Sequence, residues 1–369
     1  QGGPAGDQAT AAKILRLNLA SYDPLLGKTY SEIGTEARSM HKCQGMAQLL
    51  ALPGPSATTY QLVESTIAGQ MQKDETSLFD GIDTTIPGLA QFAGARPPKE
   101  LLDGLAAVAS AVQNAHKTFD SGPHEATLQP LVAGLRAARA LRGQLQRLAL
   151  DEGGRYDIDI RLRQKETEFQ QAILLANAVR VEALADDGLV VPGQPVKVSV
   201  LVANNGTSDV TVTQVKFLGF DGDAACALTA ATAGGGRGGG RGGRGAAAAP
   251  AAPVISTLKQ EAVGRCEIAL KVPAGARASE PYWHRNGEAG RYTFDPDAPF
   301  GLPYRPTPFT VQLTFTVAGG GDEVVSALPV QYRYEGNIFS GEKRTELLVV
   351  PAFSVRVSPE IAIIPARSI

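Results

Sequence analysis

The apolar positions of this chain change period along its length and divide it into three regimes, with a short tail. Residues 1–92 are mixed. Leu15, Leu17 and Leu19 alternate with Arg16 and Asn18, the period of a short strand. The run Tyr22-Asp23-Pro24-Leu25-Leu26-Gly27 makes a turn. Thr29 and Glu32 have the spacing of a capping box, which opens a helix over about 30–50. With Ile33 at zero on that helix, Ala37, Met40 and Ala47 fall within about 40° of it, and Gln44 sits near 20°, amid the apolar stripe. His41 lies on the flank. A polar pair beside a buried face needs partners or a pocket, so His41 and Gln44 either stitch a loop to each other or border a site.

Residues 93–185 read as helices. After Pro97-Pro98, the residues Leu101, Leu105, Val108, Val112, Ala115 and Phe119 form an amphipathic stripe, broken at Ser121-Gly122-Pro123. A second stripe carries Leu128, Leu131, Leu135, Ala138, Leu141, Leu145 and Leu148, with Pro130 in the first turn, where proline is tolerated. Gly153-Gly154 ends it, and a third helix runs from Ile158 through Leu162, Phe169, Ile173 and Ala176. Three antiparallel helices with short loops predict a small three-helix bundle.

Near Asp186-Asp187-Gly188 the period changes to two. Val196, Val198, Val200 and Val202 alternate with mostly polar partners, and Asn205-Gly206 turns the chain. Phe309, Val311, Leu313, Phe315 and Val317 alternate with Thr310, Gln312, Thr314 and Thr316, and Val324, Leu328, Val330, Tyr332 and Tyr334 share a parity. This spacing predicts an antiparallel immunoglobulin-like β-sandwich over 186–350. Strands at 353–357 and 361–364 read as the start of a further β-domain over 351–369. The fold class is therefore multidomain α+β.

Composition narrows the chemistry. A 43% hydrophobic, 20% charged chain with net charge −2 gives no general attraction to nucleic acid or to a charged membrane surface. No window approaches the roughly 18 apolar residues of a membrane helix. The four histidines, His41, His116, His124 and His284, show no metal-ligand spacing such as H-x-x-H, so no metal site is assigned. Of the three cysteines, Cys43 reads as a small buried hydrophobe. Cys226 and Cys266 flank a long insertion, where they either bridge its base or remain free thiols.

The strand half carries no catalytic constellation. Residues 234–245 read GGGRGGGRGGRG, which resembles RNA-contacting Gly/Arg segments but lacks interleaved aromatics, so a flexible insert over 232–250 is the simpler reading. The acidic group Asp74, Glu75, Asp80 and Asp83 sits in turn-like sequence. Tyr282-Trp283 either caps the core edge or stacks on a sugar ring, which makes a carbohydrate or cell-surface glycan the candidate partner.

Residues 17–46, LNLASYDPLLGKTYSEIGTEARSMHKCQGM, resemble the terminal segment of the PIG-L/LmbE-type zinc de-N-acetylase domain. His41-Lys42-Cys43-Gln44 is similar to that family's His-x-Ser-Gln element, with Cys43 in the serine place. SLFDGIDTT at 77–85, the helical stretch, PGQPVKVSVLVANN at 192–205, and the run from Pro281-Tyr282-Trp283 through Gly341-Glu342 to Val349-Val350-Pro351 resemble large multidomain bacterial members.

The resemblance implies that residues 1–92 are the tail of a Rossmann-like α/β domain, most of which would precede Gln1. It also implies that His41 and Gln44 lie near the substrate pocket. The family holds zinc through an early His-Pro-Asp-Asp element and a later histidine, neither of which is in this sequence. Zinc is therefore expected for the parent and no cofactor for this portion. On this reading the parent hydrolyses an N-acetyl group of an amino sugar or related amide. The chain supplies accessory β-modules of an exported bacterial protein and is itself inactive. The alternative is a non-enzymatic glycan- or protein-binding scaffold.

Overall fold

The computed structural model describes residues 14–45, 49–231, 253–288, 290–299, 301–317, 322–336, 339–356 and 358. The fold is mixed α+β and divides into two units, Gln1–Gly88 and Leu89–Ile369. No helix among the described residues is long and apolar enough to cross a membrane.

In the first unit, β1 (Ile14–Asn18) pairs antiparallel with β2 (Ala57–Gln61), placing Leu15 opposite Tyr60 and Leu17 opposite Thr58. Thr29 caps α1 (Tyr30–Ser39) with the capping box read from the sequence. Its Oγ1 accepts from the Glu32 amide, and Glu32 Oε2 accepts from the Thr29 amide at 2.7 Å. The helix ends at Ser39, well short of residue 50, and has no buried residue. Along its stripe Ile33 is only half-buried and Met40 is 70% exposed, so apolar burial does not extend the helix beyond its cap. A 3₁₀ turn, Lys42–Gln44, closes at Gly45 with φ +66°. Gln44 is thus not within an apolar stripe, and Ala47 lies outside the described residues. Cys43, expected buried, is exposed for the same reason.

The second unit contains the three long helices α2 (Lys99–Ser121), α3 (Leu128–Gln144) and α4 (Glu152–Ala176). α2 buries Leu101, Leu105, Val108, Ala111 and Ala115, while Val112 is half-buried and Phe119 is exposed. α3 buries Leu128, Val132, Leu135, Ala138 and Leu141, leaving Leu131 half-buried. Gly134 permits close approach to α4, since a Cβ there would lie 2.3 Å from the Phe169 ring.

Gly153 and Gly154 do not break the chain but form the first turn of α4. Asp151 caps that turn by accepting from the Gly154 amide at 2.6 Å. The missing side chain of Gly154 admits the Phe92 carbonyl, which would lie 2.1 Å from a Cβ. α3 and α4 are tied by Arg139 Nε to Glu166 Oε1 at 2.7 Å, Arg142 Nε to Asp159 Oδ1 at 2.9 Å, and Arg142 to Glu166.

The strands that follow are β3 (Val179–Ala185), β4 (Pro195–Asn204), β5 (Val210–Leu218), β6 (Val263–Lys271), β7 (Trp283–Asn286), β8 (Arg291–Phe294), β9 (Thr310–Val317), β10 (Glu323–Pro329), β11 (Gln331–Glu335) and β12 (Glu342–Glu346). Strand structure begins at Val179, ahead of the period change read at Asp186. The alternation Val179, Val181, Ala183, Ala185 is already there, but its small side chains blur it into the preceding Ala-rich helix.

One sheet runs Thr229–Ala230, β6, β4, β3, β11, β12, and another runs Thr257–Leu258, β5, β9, β10. Val196, Val198, Val200 and Val202 are buried, as are Phe309, Val311, Leu313, Phe315 and Val317. The sheets are not wholly antiparallel. β3 and β11 pair in parallel, with Leu184 opposite Gln331, because the region's first strand and one of its last meet running the same way.

The single parity from Val324 to Tyr334 also splits. β10 belongs to one sheet and β11 to the other, with buried Val330 as the pivot. Its amide donates to the Phe309 carbonyl at 2.9 Å and its carbonyl accepts from Leu347 at 3.1 Å. Cys226 and Cys266 are joined as a disulfide, Cα to Cα 6.2 Å, between a segment following the β5 edge and β6. α4 abuts β10, where Gln170 Oε1 accepts from the Val325 amide at 2.7 Å. The strand expected at 353–357 is not formed among its described residues, and Phe353 and Val355 are about nine-tenths exposed. Positions 361–364 and the insert at 232–250 lie outside the described residues.

Candidate functional site

The first sequence candidates lie in the first unit. His41 Nδ1 is 3.1 Å from Gln44 Oε1, and both side chains are exposed. They face each other across the 3₁₀ turn that ends α1. Asp80 accepts from the Thr76 and Ser77 amides, at 2.5 and 3.1 Å, and Asp83 accepts from the Thr85 amide and hydroxyl. The Thr76 amide beside Asp80 and the Thr85 hydroxyl beside Asp83 hold both carboxyls below the usual carboxylate range. These are turn-closing aspartates.

Among the described residues no group of three or more His, Cys, Asp or Glu is placed to hold a metal ion. His41 and His284 lie in different units, and His124 stands against the Phe119 ring at 5.6 Å.

The second unit offers a cleft of about 880 Å³, lined among others by Arg277, Glu280, Asp297, Tyr304, Arg305 and Glu346. Two segments carry most of its polar groups, while Asp297 and Glu346 come from elsewhere in the chain. Residues 273–281 are fixed to Leu348–Val349, since the Ser279 amide donates to the Val349 carbonyl at 2.8 Å and Ser279 Oγ accepts from the Val349 amide at 3.0 Å. The proline-rich stretch Pro303–Pro308 leads into β9, with φ fixed at Pro303, Pro306 and Pro308 around Tyr304 and Arg305.

Beside this cleft stands the hairpin β7–β8, with Trp283 opposite Phe294 and Arg285 opposite Tyr292. Its aromatic rings form a continuous file. Phe294 lies 6.0 Å from Tyr282, Tyr282 meets Trp283 edge-on at 5.0 Å, and Trp283 lies 5.7 Å from Tyr304, which is in the cleft lining. Phe294 and Tyr304 are 63% and 69% exposed, so the file ends in water at both ends. Tyr282 is pinned by its hydroxyl, which donates to the Leu302 carbonyl.

Two guanidinium groups and two carboxylates lock the cleft wall. Arg277 pairs with Asp295 and, at 3.3 Å, with Asp297. Arg305 Nη2 reaches Asp297 Oδ1 at 3.1 Å and Asp295 Oδ2 at 3.3 Å. His284 Nε2 donates to Asp295 Oδ1 at 3.0 Å and joins the hairpin to the cluster. The His284 hydrogen bond, with Arg277 and Arg305 nearby, holds the Asp295 carboxyl below the usual range. Desolvation acts to raise Asp297, but hydrogen bonds from Arg277 and Arg305 outweigh it and leave this carboxyl lowered too.

Tyr282 and Trp283 were legible in the sequence; Arg277, Asp295, Asp297, Tyr304 and Arg305 were not. The available signal was Pro303-Tyr304-Arg305-Pro306, an aromatic and a cation held in a stiff loop, which points to a presented side chain.

No protein-family model and no curated protein matches this chain. Among solved structures it is similar to the Pseudomonas fluorescens alkylpurine DNA glycosylase AlkC bound to DNA containing an abasic site analog, at 8% identity and a TM-score of 0.17. That alignment covers 66% of this chain and 63% of the glycosylase chain, so this chain spans less than two thirds of that structure. At such a score the likeness carries no argument about fold or function.

Proposed function

We propose that the second unit is a carbohydrate-binding module and that the chain is the accessory part of a PIG-L-like deacetylase. The observation that carries this reading is the aromatic file Phe294–Tyr282–Trp283–Tyr304, which runs from solvent into a polar cleft. A pyranose ring has an apolar face that stacks on an aromatic ring and a hydroxyl edge that needs paired donors and acceptors. The Arg277–Asp297–Arg305 cluster supplies both beside Tyr304.

On the same reading, the paired sheets form an immunoglobulin-like sandwich and α2, α3 and α4 form a three-helix bundle. The alternating burial of β4 and β9 and the Gly134–Phe169 approach support this. Zinc-dependent hydrolysis of an N-acetyl group is assigned to the parent, with this chain inactive by itself. Export is supported by the Cys226–Cys266 disulfide, since such bonds persist in oxidising compartments. Nucleic acid is not a proposed partner, because duplex binding needs a basic surface and this cleft pairs each arginine with a carboxylate.

Isothermal titration of the chain with a panel of neutral, amino and acidic oligosaccharides tests the reading. Saturable binding to at least one sugar, lost in Trp283→Ala, is expected. No binding across the panel, or full binding by the variant, would overturn it.

A further inference from the structure

We infer that the cleft selects sugars that carry a free ammonium group, an inference that rests on the carbohydrate reading above. The cations in its lining are Arg277 and Arg305, and both are already neutralised by Asp295 and Asp297. Glu280 and Glu346 line the same space from two different segments, and neither side chain has a hydrogen-bond or ion-pair partner among the described residues. In the lining two guanidinium groups stand against three carboxylates, Asp297, Glu280 and Glu346, and Asp295, which pairs with both arginines, brings the formal excess to two negative charges. A concave wall focuses that field on whatever enters.

The exposed ring of Tyr304 adds to the same preference. An ammonium over its face is attracted by the ring quadrupole, and the adjoining sugar carbons stack on it. Anionic sugars meet the reverse conditions. A uronate or phosphate finds no uncommitted cation in the lining, and Glu280 and Glu346 repel it. An N-acetylated sugar can stack and accept hydrogen bonds but gains nothing from these carboxylates. The three classes should therefore rank as amino sugar, then N-acetylated sugar, then acidic sugar.

Titration of the whole chain with glucosamine tetramer, N-acetylglucosamine tetramer and galacturonate tetramer tests this ranking. The glucosamine tetramer should bind about tenfold more tightly than the acetylated one at low salt, and that advantage should shrink as salt screens the carboxylates. In Glu280→Gln/Glu346→Gln the advantage of the glucosamine tetramer over the acetylated one should vanish. Equal or tighter binding of the acetylated tetramer by the unaltered chain would overturn the inference and leave the carbohydrate reading standing. So would an undiminished preference in the double variant. Failure of all three tetramers and of the wider sugar panel would overturn both.

Discussion

The indole of Trp283 and the phenol ring of Tyr304 lie 5.7 Å apart and tilted by 46°, which joins the hairpin β7–β8 to the proline-rich loop before β9. Neither ring belongs to the core; Trp283 is half-buried and Tyr304 is mostly exposed. Removing Tyr304 should therefore harm binding far more than folding. Tyr304→Ala is expected to weaken sugar binding about tenfold, the size of one lost aromatic contact. Its melting temperature should stay near that of the parent, because exposed substitutions fall within about 0.5 kcal/mol. Calorimetric titration and a thermal melt on the same preparation check both.

Gly134 sets the separation of α3 and α4. A methyl group there would sit 2.3 Å from the Phe169 ring, so the helices must separate or the ring must move. Gly134→Ala should cost about 1–3 kcal/mol despite alanine's better helix propensity. Phe169→Leu in the same chain should recover part of the loss. Urea denaturation of the unaltered chain and of the two variants gives the comparison.

Glu166 gives the helical layer a pH dependence. Desolvation acts to raise its carboxyl, but hydrogen bonds from Arg139 and Arg142 outweigh it and leave it below the ordinary value of 4.5. A carboxyl lowered on folding contributes stability that is fully present above that ordinary value and is lost as pH falls through the folded one. The melting temperature should therefore drop on acidification from about pH 6 to pH 3, and less so in Glu166→Gln. At neutral pH that variant should be less stable by about 1–3 kcal/mol, having lost charge-assisted hydrogen bonds.

Where local chemistry decides, the sequence was readable. Thr29 and Glu32 formed their capping box, and the valines of β4 and the alternating apolar residues of β9 turned inward. It failed where a neighbour distant in sequence decides. Gly153-Gly154 looks like a helix break until the Phe92 carbonyl and the Asp151 cap are known. Val330 looks like the middle of one strand until Phe309 and Leu347 claim its amide and carbonyl for two sheets. α1 ended early because an apolar stripe extends a helix only where something covers it. In the cleft, Arg277, Asp295 and Arg305 are each ordinary loop residues, and only the folded backbone brings them together.

The Cys226–Cys266 disulfide closes the loop that contains the insert at 232–250. Replacing both cysteines by alanine should cost about 2–4 kcal/mol, chiefly by freeing the unfolded chain. Denaturant unfolding should show a lower midpoint with a similar slope. The reduced parent chain should match the double variant.

The claim that the aromatic file and cleft hold a sugar is tested most directly by the fluorescence of Trp283, the chain's single tryptophan. Titrating the chain with the tightest-binding oligosaccharide should change its emission in a saturable way, with a midpoint that matches the calorimetric affinity. The same titration of Tyr304→Ala should shift that midpoint about tenfold to higher sugar. Emission that stays flat while the sugar binds would place the ligand elsewhere and contradict the claim.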